Sequence, residues 1–431
     1  MEDKLEIQDK SEWKREYLHF FILSTAGKPI YSRHGDENEL AALMGVMQAI
    51  NFFAKDISLE IEEFMSNNKR VVFHETSSLI FVTVGSIAES KTFFKLCINY
   101  VNKHIIFLLS KSKLDLTFEK SSSLDLRHLL VDNVRRFDKL LLSIELSLGP
   151  YIGRYQCIPL KKTFRDNLNT SLVNIIKQDS LESLNLVFLV LFYKNELVTF
   201  ISMKNYSLTV LEIHLISNLL ETSKTFKAAT SNWLPICLPD YDPKGFLHAH
   251  ISYIQDDLVL TLISYDRNKF YELDILKTRI STKFCSQSTI FSTISSARRP
   301  KANEVEGLND YVRLFIYIYD ENCYTSSSWT CPYGEENGQE VLESDLIERR
   351  RVMAVCRNLY DKLMLSHVKC DQIYMMVSTE AFYATKNGNE ISIMIFEPFI
   401  DQIKAGQFSS KLQSWIQENK NRIFLTNQIH F

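Results

Sequence analysis

The chain has 431 residues, of which 45% are hydrophobic and 23% charged, and its formal net charge is −3. The length predicts roughly three domains, and the composition excludes a mainly disordered chain. Because basic and acidic residues nearly balance, a surface built for nucleic acid is excluded too. Only 12 glycines occur, and no two lie close enough to form a phosphate-binding loop.

The first third of the chain predicts a small sheet with helices on it. An apolar strand at Tyr17–Leu23 and a short strand at Pro29–His34 flank a turn at Ala26–Pro29, so they predict a hairpin. The further elements predicted here are a helix at Asn38–Lys55, strands at Arg70–His74 and Ser78–Ser86, and helices at Lys91–Leu109 and Leu126–Leu148. Gly149 and Pro150 are expected to end the last helix.

The same order of elements returns twice, more faintly the second time. The second set consists of strands at Leu184–Phe192, Leu197–Met203, Gly245–Ile254 and Leu258–Tyr265, with helices at Ser207–Lys227 and Lys269–Phe284. The third set consists of strands at Tyr311–Tyr319, Asp371–Val377, Ala381–Thr385 and Glu390–Phe396, with helices at Leu342–Leu365 and Asp401–Gln417. Only the element order repeats, without self-similarity of individual residues.

This organisation predicts an α/β (α+β) fold of three tandem domains, each a small, mostly antiparallel sheet flanked by helices. The predicted bounds are a short polar segment at 1–16, domains at 17–153, 154–294 and 308–431, and a charged linker at 295–307. No segment reaches the roughly 18 apolar residues of a membrane-spanning helix, and the N-terminal segment lacks the apolar stretch of a signal peptide. The eight cysteines are scattered, so we expect free thiols in the reducing cytoplasm.

Most catalytic signatures are missing. Lys28 follows Gly27 without the leading glycine and the Ser/Thr of a Walker loop, and no GxSxG nucleophile elbow occurs. His248 and His250 would share one face of a strand and could bind a metal. Two histidines on a half-exposed strand are the more ordinary interpretation, because no third ligand is evident. We therefore predict no catalytic, cofactor-binding or metal-binding residue.

Basic residues cluster in three places, the first of which is Lys161 and Lys162 with Arg165. The candidates for contact with anionic lipid headgroups are Arg298, Arg299 and Lys301 in the linker and Arg349, Arg350 and Arg351 in a predicted helix. Each cation near an anionic membrane surface contributes about 1 kcal/mol to binding. A solvated linker or helix face is the alternative that the balanced overall charge favours.

The helix predicted at Asn38–Lys55 is apolar on nearly all sides. At about 100° per residue, one apolar stripe consists of Leu40, Leu43, Met44, Met47, Ile50 and Ala54. A second apolar stripe consists of Ala42, Val46, Ala49 and Phe53. A single small sheet covers only one face, so the second face needs the rest of the chain or, as we favour, an external partner. Ala41, Gly45 and Ala49 form a ridge of small residues. Gly45 in mid-helix costs about 1 kcal/mol relative to alanine, which indicates that another backbone approaches closely.

Two blocks of the sequence resemble one known family. The chain resembles the SAND family, the Mon subunits of Mon–Ccz complexes, in FFILSTAGKPIYSRHG at Phe20–Gly35 and in LMGVMQAI at Leu43–Ile50. It resembles the same family independently in WLPICLPDYDPKGFLHAHISY at Trp233–Tyr253. The stretch Cys370–Ala384 is compatible with that family, so the resemblance spans most of the chain.

The resemblance implies three longin domains, in agreement with the repeated element order. It implies pairing with a Ccz-type longin subunit through the first longin domains. In that family the pair is a guanine nucleotide exchange factor for a Rab-seven-type GTPase in late endosome, vacuole (lysosome) and autophagosome fusion. Such a factor makes and breaks no covalent bond, because it binds the nucleotide-free GTPase more tightly and thereby weakens GDP binding.

The resemblance also implies a site. The candidate contact residues on the second strand and the following helix are Ile30, Tyr31, Arg33, Leu43, Met44, Gly45, Met47, Gln48 and Asn51. Arg33 could instead pair with Glu37, and periodicity does not decide which helix stripe meets the Ccz-type subunit and which the GTPase. Charged substitutions at Met47 and Gln48 are expected to abolish partner binding or exchange and to leave the fold intact.

Two further partners are predicted. The basic clusters favour a phosphoinositide or other anionic membrane surface, and a third scaffold subunit completes the set, whereas the balanced charge excludes nucleic acid. The chain is expected in the cytoplasm, recruited peripherally to late endosome and vacuole membranes. The alternative function is a longin-type trafficking adaptor or tethering scaffold without exchange activity.

Overall fold

The computed structural model describes residues 16–431 except 26–27, 36, 57–60, 77–78, 121–129, 131–132, 179–183, 309–310, 321–322, 330–338, 366–369, 378 and 426–428. Positions 1–15 of the predicted polar segment lie outside the described residues. The same holds for Ala26 and Gly27 of the predicted turn and for Leu126 at the start of a predicted helix. The chain divides into two compact units, Met1–Leu142 and Ser143–Phe431.

The first unit contains a five-stranded antiparallel sheet among its described residues. Its strands are β1 (Leu18–Ser24), β2 (Pro29–Ser32), β3 (Glu63–Ser66), β4 (Lys69–Glu75) and β5 (Leu79–Ser86), in the order β2-β1-β5-β4-β3. Its helices are α1 (Glu37–Asp56), α2 (Lys91–Leu109), α3 (Lys111–Lys120) and most of α4 (Val134–Leu146). All seven residues of β1, which lies between β2 and β5, are buried, so both faces of this strand are covered.

The second unit contains two sheets of six strands in its described part. The helices are α5 (Gly149–Ile152), α6 (Lys162–Gln178), α7 (Val210–Thr222), α8 (Phe270–Ser286), α9 (Ser288–Ser296), α10 (Gln339–Met364) and α11 (Gln402–Ile423). The strands are β6 (Tyr155–Gln156), β7 (Leu186–Tyr193), β8 (Glu196–Ser202), β9 (Asn232–Ile236), β10 (Leu247–Gln255), β11 (Leu258–Ser264), β12 (Val312–Ile318), β13 (Cys323–Ser326), β14 (Gln372–Met376), β15 (Ala381–Asn387), β16 (Glu390–Phe396) and β17 (Ile429–His430). The strand orders are β17-β8-β7-β11-β10-β9 in the middle sheet and β14-β15-β16-β12-β13-β6 in the last sheet.

Two short parallel strands tie the middle and last sheets together. β6 pairs with β13 of the last sheet, with Tyr155 opposite Cys323. β17 at the end of the chain pairs with β8 of the middle sheet, with Ile429 opposite Ile201. Each sheet therefore takes an edge strand from a stretch that the sequence assigns to the other domain. The domain bounds at 17–153, 154–294 and 308–431 stay predictions.

The stretch predicted as a linker, 295–307, carries part of the packing. A short 3-10 helix forms at Ala302–Glu304, and Ala302 and Val305 are 4% and 1% exposed. The helix contacts β12. Its charged residues face outward while two small apolar side chains are buried.

The predicted strands and long helices are confirmed to within a few residues at most ends, and so are the small, mostly antiparallel sheets flanked by helices. The sequence did not predict strands β3, β6, β9, β13 and β17 or helices α3, α5, α6 and α9, which are short or rich in polar residues. The expected cap of α4 is wrong. α4 ends at Leu146, and Gly149 and Pro150 begin α5, which ends at the left-handed Gly153 with a φ of 64°.

Candidate functional site on helix α1

One stripe of α1 builds the core of the first unit. Leu40, Met44 and Met47 are at most 5% exposed. They pack in a cluster with Phe21 of β1 and Phe73 of β4. Truncating such side chains leaves cavities in a packed interior. This stripe therefore stabilises the folded first unit.

Two polar contacts fix the C-terminal half of α1. Asn51, 8% exposed, donates its side-chain N–H to Oε2 of Glu75 at 2.8 Å. Lys55 donates to Oε1 of the same carboxylate. Because Glu75 is the last residue of β4, these contacts hold the rotation of the helix on the sheet.

The opposite face of α1 is apolar and exposed. Val46, Phe52 and Phe53 are 56%, 71% and 66% exposed, and Leu43 at the margin is 37% exposed. We call this surface the outward face, and its exposed residues are Ala42, Leu43, Gly45, Val46, Ala49, Phe52 and Phe53. Contiguous exposed apolar side chains mark an interaction surface more often than isolated ones do.

Gly45 lies in the middle of the outward face. A Cβ atom added there would meet no atom of the described residues within 4 Å. Internal packing therefore does not require a glycine, although glycine costs a helix about 1 kcal/mol relative to alanine. Contacts within the described residues therefore do not explain a glycine at this position.

Strand β2 contributes little to the surface. Ile30 and Tyr31 are 5% and 2% exposed. The hydroxyl of Tyr31 donates to the carboxylate of Asp138 on α4, and its ring lies edge-on to Phe137 at 5.5 Å between centroids. Arg33 is half-buried, with its guanidinium 3.5 Å from the carbonyl oxygen of Leu18.

The nine predicted contact residues therefore lie in three environments. Leu43 and Gly45 are on the outward face, and Gln48 and Arg33 are half-buried. The buried members are Ile30, Tyr31, Met44, Met47 and Asn51. The contact roles of all nine stay predictions, and the side chain of Glu37, the alternative partner of Arg33, lies outside the described residues.

Two corrections follow from these positions. A charge at Met47 would be buried in the core, so the expectation that such a substitution leaves the fold intact is wrong. Phe52 and Phe53 are the most exposed apolar residues of the helix, yet neither was predicted as a contact. The second apolar stripe contained Phe53, and this pattern was the available signal.

A polar groove of about 350 Å³ lies beside the C-terminal end of α1. Its lining includes Asn51, Lys55, Glu75 and Glu62. Glu62 accepts from Lys91 at 2.6 Å and Lys95 at 3.0 Å, and these ammonium groups lower the pKa of Glu62 to about 2. The groove therefore carries fixed charges of both signs, and its lining includes none of the outward-face residues.

The basic run on α10 is engaged within the second unit. Arg350 donates to the fully buried carboxylate of Glu145 at 2.8 Å. Arg351 donates to Glu348 at 2.8 Å and to Glu380. Arg349 donates to the carbonyl oxygen of Leu146 at 3.2 Å, and burial lowers its pKa.

The basic residues near 300 are also paired in part. Arg298 and Glu304 form a bidentate pair at 2.7 and 2.8 Å, and Arg299 lies 2.6 Å from Glu196. Lys301 is exposed. Lipid contact at the two basic clusters stays a prediction, and at the arginines it would compete with these contacts.

The two candidate metal ligands lie in an aromatic cluster. His250 is fully buried, and its Nε2 lies 3.3 Å from Oδ1 of Asp274. Trp233 stacks on His248 at 5.4 Å between ring centroids. Across the described residues, no group of three or more His, Cys, Asp or Glu side chains is placed to hold a metal ion. Searched over the same residues, the helices include none long and apolar enough to cross a membrane.

Comparison with known proteins identifies two longin domains in the chain. The family model described as the first Longin domain of FUZ, MON1 and HPS1 matches residues 18–140, and the model of the second Longin domain of the same proteins matches residues 184–282. Protein SAND of Takifugu rubripes is 29% identical over 99% of this chain and 80% of its own length. Vacuolar fusion protein MON1 homolog A of Gallus gallus is 30% identical over 96% of this chain and 73% of its own length. This chain belongs to the SAND/MON1 family of longin-domain proteins.

Proposed function

We propose that the chain is one subunit of a heterodimeric guanine nucleotide exchange factor. Its partner is a Ccz-type longin subunit, and the pair promotes GDP release from a Rab-seven-type GTPase. The observation that carries the proposal is the exposed outward face of α1, with Gly45 at its centre. Relatives named vacuolar fusion proteins support a role in membrane trafficking.

The geometry of the outward face suits a macromolecular partner. Phe52 and Phe53 offer large apolar side chains, which commonly supply the binding energy at the centre of protein interfaces. Ala42, Gly45 and Ala49 form a low ridge beside them, where a second helix or strand can approach closely. The charged groove around Glu75 and Glu62 lies beside the C-terminal end of the same helix and offers charged groups to a partner that extends beyond the outward face.

Exchange requires only differential binding. The assembled pair stabilises the nucleotide-free GTPase, and by thermodynamic linkage the same free energy weakens the hold of the GTPase on GDP. This chain therefore needs no catalytic residue and is not an enzyme that makes or breaks covalent bonds. In this proposal the nucleotide and its Mg²⁺ are bound by the GTPase.

The place of action follows from the same proposal. The complex works in the cytoplasm and is recruited peripherally to late endosome and vacuole (lysosome) membranes, where it serves vacuole and autophagosome fusion. An anionic or phosphoinositide-containing surface and a third scaffold subunit complete the proposed set of partners. Lys301 is the most available cation of the two basic clusters, because the neighbouring arginines are paired.

Release of a fluorescent GDP analogue from the late-endosomal Rab tests the proposal. The rate is measured with this chain alone, with the Ccz-type subunit alone and with both, and fast release is expected only with both. The double substitution Val46→Asp and Phe53→Asp on the outward face should lower the rate at least tenfold. Ile347→Asp is the matched control, because Ile347 is 65% exposed on α10 and should leave the rate unchanged.

The adaptor alternative makes a different prediction. If the folded pair binds the Rab but GDP release is not accelerated, the chain is a tethering scaffold rather than an exchange subunit. If Ile347→Asp lowers exchange as strongly as the α1 variant, the outward face is not the site.

A further inference from the structure

Among the described residues, the last sheet ends at an edge strand that lacks the usual protection against pairing. β14 (QIYMM) lies at one end of the strand order, and none of its five residues is buried. It contains no proline and no charged residue. The other edges of the second unit differ, since β9 contains Pro235 and β6 and β17 have two residues each. Proline, charge and shortness are the common ways of blunting an edge.

The register shows which backbone groups of β14 point outward. The backbone N–H of Val377 donates to the carbonyl oxygen of Glu380, and the backbone N–H of Lys386 donates to the carbonyl oxygen of Asp371, each at 2.8 Å. With the register of β14 on β15, these bonds make 371, 373, 375 and 377 the hydrogen-bonded positions. In an antiparallel pair the alternate residues direct their N–H and C=O groups away from the neighbour. Gln372, Tyr374 and Met376 therefore present their backbone groups to the free edge, where the carbonyl of Gln372 accepts from the thiol of Cys370.

Exposed apolar side chains rim the same edge. On the face of the sheet that α11 covers, the hydroxyl of Tyr374 donates to the carbonyl oxygen of Ile400 at 2.6 Å. The neighbouring Phe399 and Ile403 are 88% and 76% exposed. Phe399 has a φ of 73°, a backbone region that bulky residues rarely adopt and that is often associated with function. Met376 of the strand itself is 60% exposed.

The other face has its own apolar rim. Lys386, beside the start of β14, donates through Nζ to the carbonyl oxygen of Leu363 near the end of α10. The two residues that follow, Met364 and Leu365, are 47% and 53% exposed. Apolar side chains thus flank the edge on both faces of the sheet, which suits an added strand whose side chains alternate between the two faces.

We propose that β14 pairs antiparallel with β14 of a second copy of this chain, around a two-fold axis at Tyr374. Gln372 then lies opposite Met376 of the partner subunit, and Tyr374 lies opposite Tyr374 of the partner subunit. Each of these pairs exchanges two backbone hydrogen bonds, because the outward groups sit on alternate residues. A two-fold axis makes such an interface self-complementary, and the uncharged strand brings no like charges together.

The helices leave room for this pairing. α10 packs on β14 and β15, and α11 packs on β15 and β16. With strands about 4.8 Å apart, a helix that packs on both β14 and β15 lies about one strand spacing from the axis, so the two copies of α10 would lie about 10 Å apart. This is close to the roughly 8–10 Å of packed helices. Met364 and Leu365 can contact the partner copy on this face, and Phe399 and Ile403 can cover the paired tyrosines on the other.

Engineered disulfides test the register in the full chain. The background is Cys285→Ser, Cys331→Ser and Cys370→Ser, which removes thiols that are exposed, half-buried or outside the described residues. Tyr374→Cys should then form a disulfide-linked dimer under mild oxidation, because hydrogen-bonded antiparallel partners lie about 5.5 Å apart between Cα atoms. Tyr271→Cys, at a residue 77% exposed on α8, is the control and should remain monomeric.

A second disulfide cross-linking experiment leaves Tyr374 unchanged. Chains with Gln372→Cys should cross-link to chains with Met376→Cys in a mixture, whereas neither variant should cross-link alone. This result is specific to an antiparallel two-fold register. The Val46→Asp and Phe53→Asp background should not change it, because the outward face of α1 is a separate apolar surface.

Sedimentation velocity across protein concentration measures the unmodified equilibrium. Tyr374→Lys should weaken dimerisation at least tenfold, since it places two like charges opposite each other. Leu234→Lys on the edge strand β9 should leave dimerisation unchanged. A monomer at every concentration, or protection of the β14 amides from hydrogen exchange only when a different polypeptide is added, overturns the proposal. These measurements involve no GTPase, so their failure leaves the exchange proposal untouched.

Discussion

Helices α1 and α10 each lie on a sheet, but they differ in which side chains they turn to solvent and which they use for internal contacts. α1 turns Val46, Phe52 and Phe53 outward, while α10 turns three consecutive arginines toward acceptors in its own unit. The apolar surface is therefore available for binding and the charged one is largely used for packing. Residue type alone does not distinguish a binding surface from a structural one. The distinction depends on whether each side chain has a contact within its own unit.

The largest expected effect comes from breaking the buried ion pairs around α10. Glu380 is fully buried and accepts from Arg313 at 2.9 Å and from Arg351. Glu380→Ala leaves the partly buried Arg313 without its main acceptor, so the free energy of unfolding should fall by about 3–5 kcal/mol. Chemical denaturation of the full chain measures this loss.

The matched control is a pair on the surface. Arg298 is 63% exposed in its pair with Glu304, so Arg298→Ala should cost at most about 1 kcal/mol. Equal losses for Glu380→Ala and Arg298→Ala would show that burial does not separate the two kinds of pair.

The next effect separates the two faces of α1. Met44 is 1% exposed and packs in the core, so Met44→Ala should lower the free energy of unfolding by about 2–4 kcal/mol. Val46→Ala, two residues away at 56% exposure, should change it by less than about 0.5 kcal/mol. A large loss from Val46→Ala would mean that the outward face is covered within the chain.

Mild acid should destabilise the first unit through a buried histidine on α2. Burial lowers the pKa of His104 to about 3, and the charge of Arg136 adds to that shift. The unfolded state, with a pKa near 6.5, binds a proton that the folded state excludes, so stability is complete above about pH 6.5 and falls as pH drops toward 3. The loss approaches roughly 1.4 kcal/mol per pH unit in the middle of that window.

Denaturation at several pH values between 7 and 4.5 measures the slope. His104→Gln should flatten it, because glutamine does not titrate in this range. An unchanged slope in His104→Gln would assign the acid sensitivity to other groups.

The sequence predicted the fold far better than it predicted which residues of the candidate site are buried and which are exposed. Alternating and helical periodicities give element positions, because they follow from local geometry. The same periodicity showed two apolar stripes on α1 without showing that Met47 faces the core and Phe53 does not. That choice depends on which sheet the helix meets, a contact between distant parts of the chain.

The basic run on α10 shows the same limit more sharply. Arg350 and its acceptor Glu145 are 205 positions apart in the sequence. Charge counting within a window therefore identifies a basic run but not the buried carboxylate that neutralises it. The exchange of β6 and β17 between two sheets escaped prediction for the same reason, since two-residue strands carry no periodic signal.

The smallest expected change in stability is also the most informative about the outward face. Gly45→Ala adds a methyl group where no described atom lies within 4 Å, and alanine favours a helix interior over glycine, so the chain should gain up to about 1 kcal/mol. If a partner backbone approaches this position, the same methyl group should weaken the complex with the Ccz-type subunit or slow GDP release. Thermal denaturation of the isolated chain and the exchange rate of the pair measure the two effects separately. A more stable chain with undiminished exchange would show that Gly45 serves neither folding nor binding, and the contact surface would then have to centre on Phe52 and Phe53.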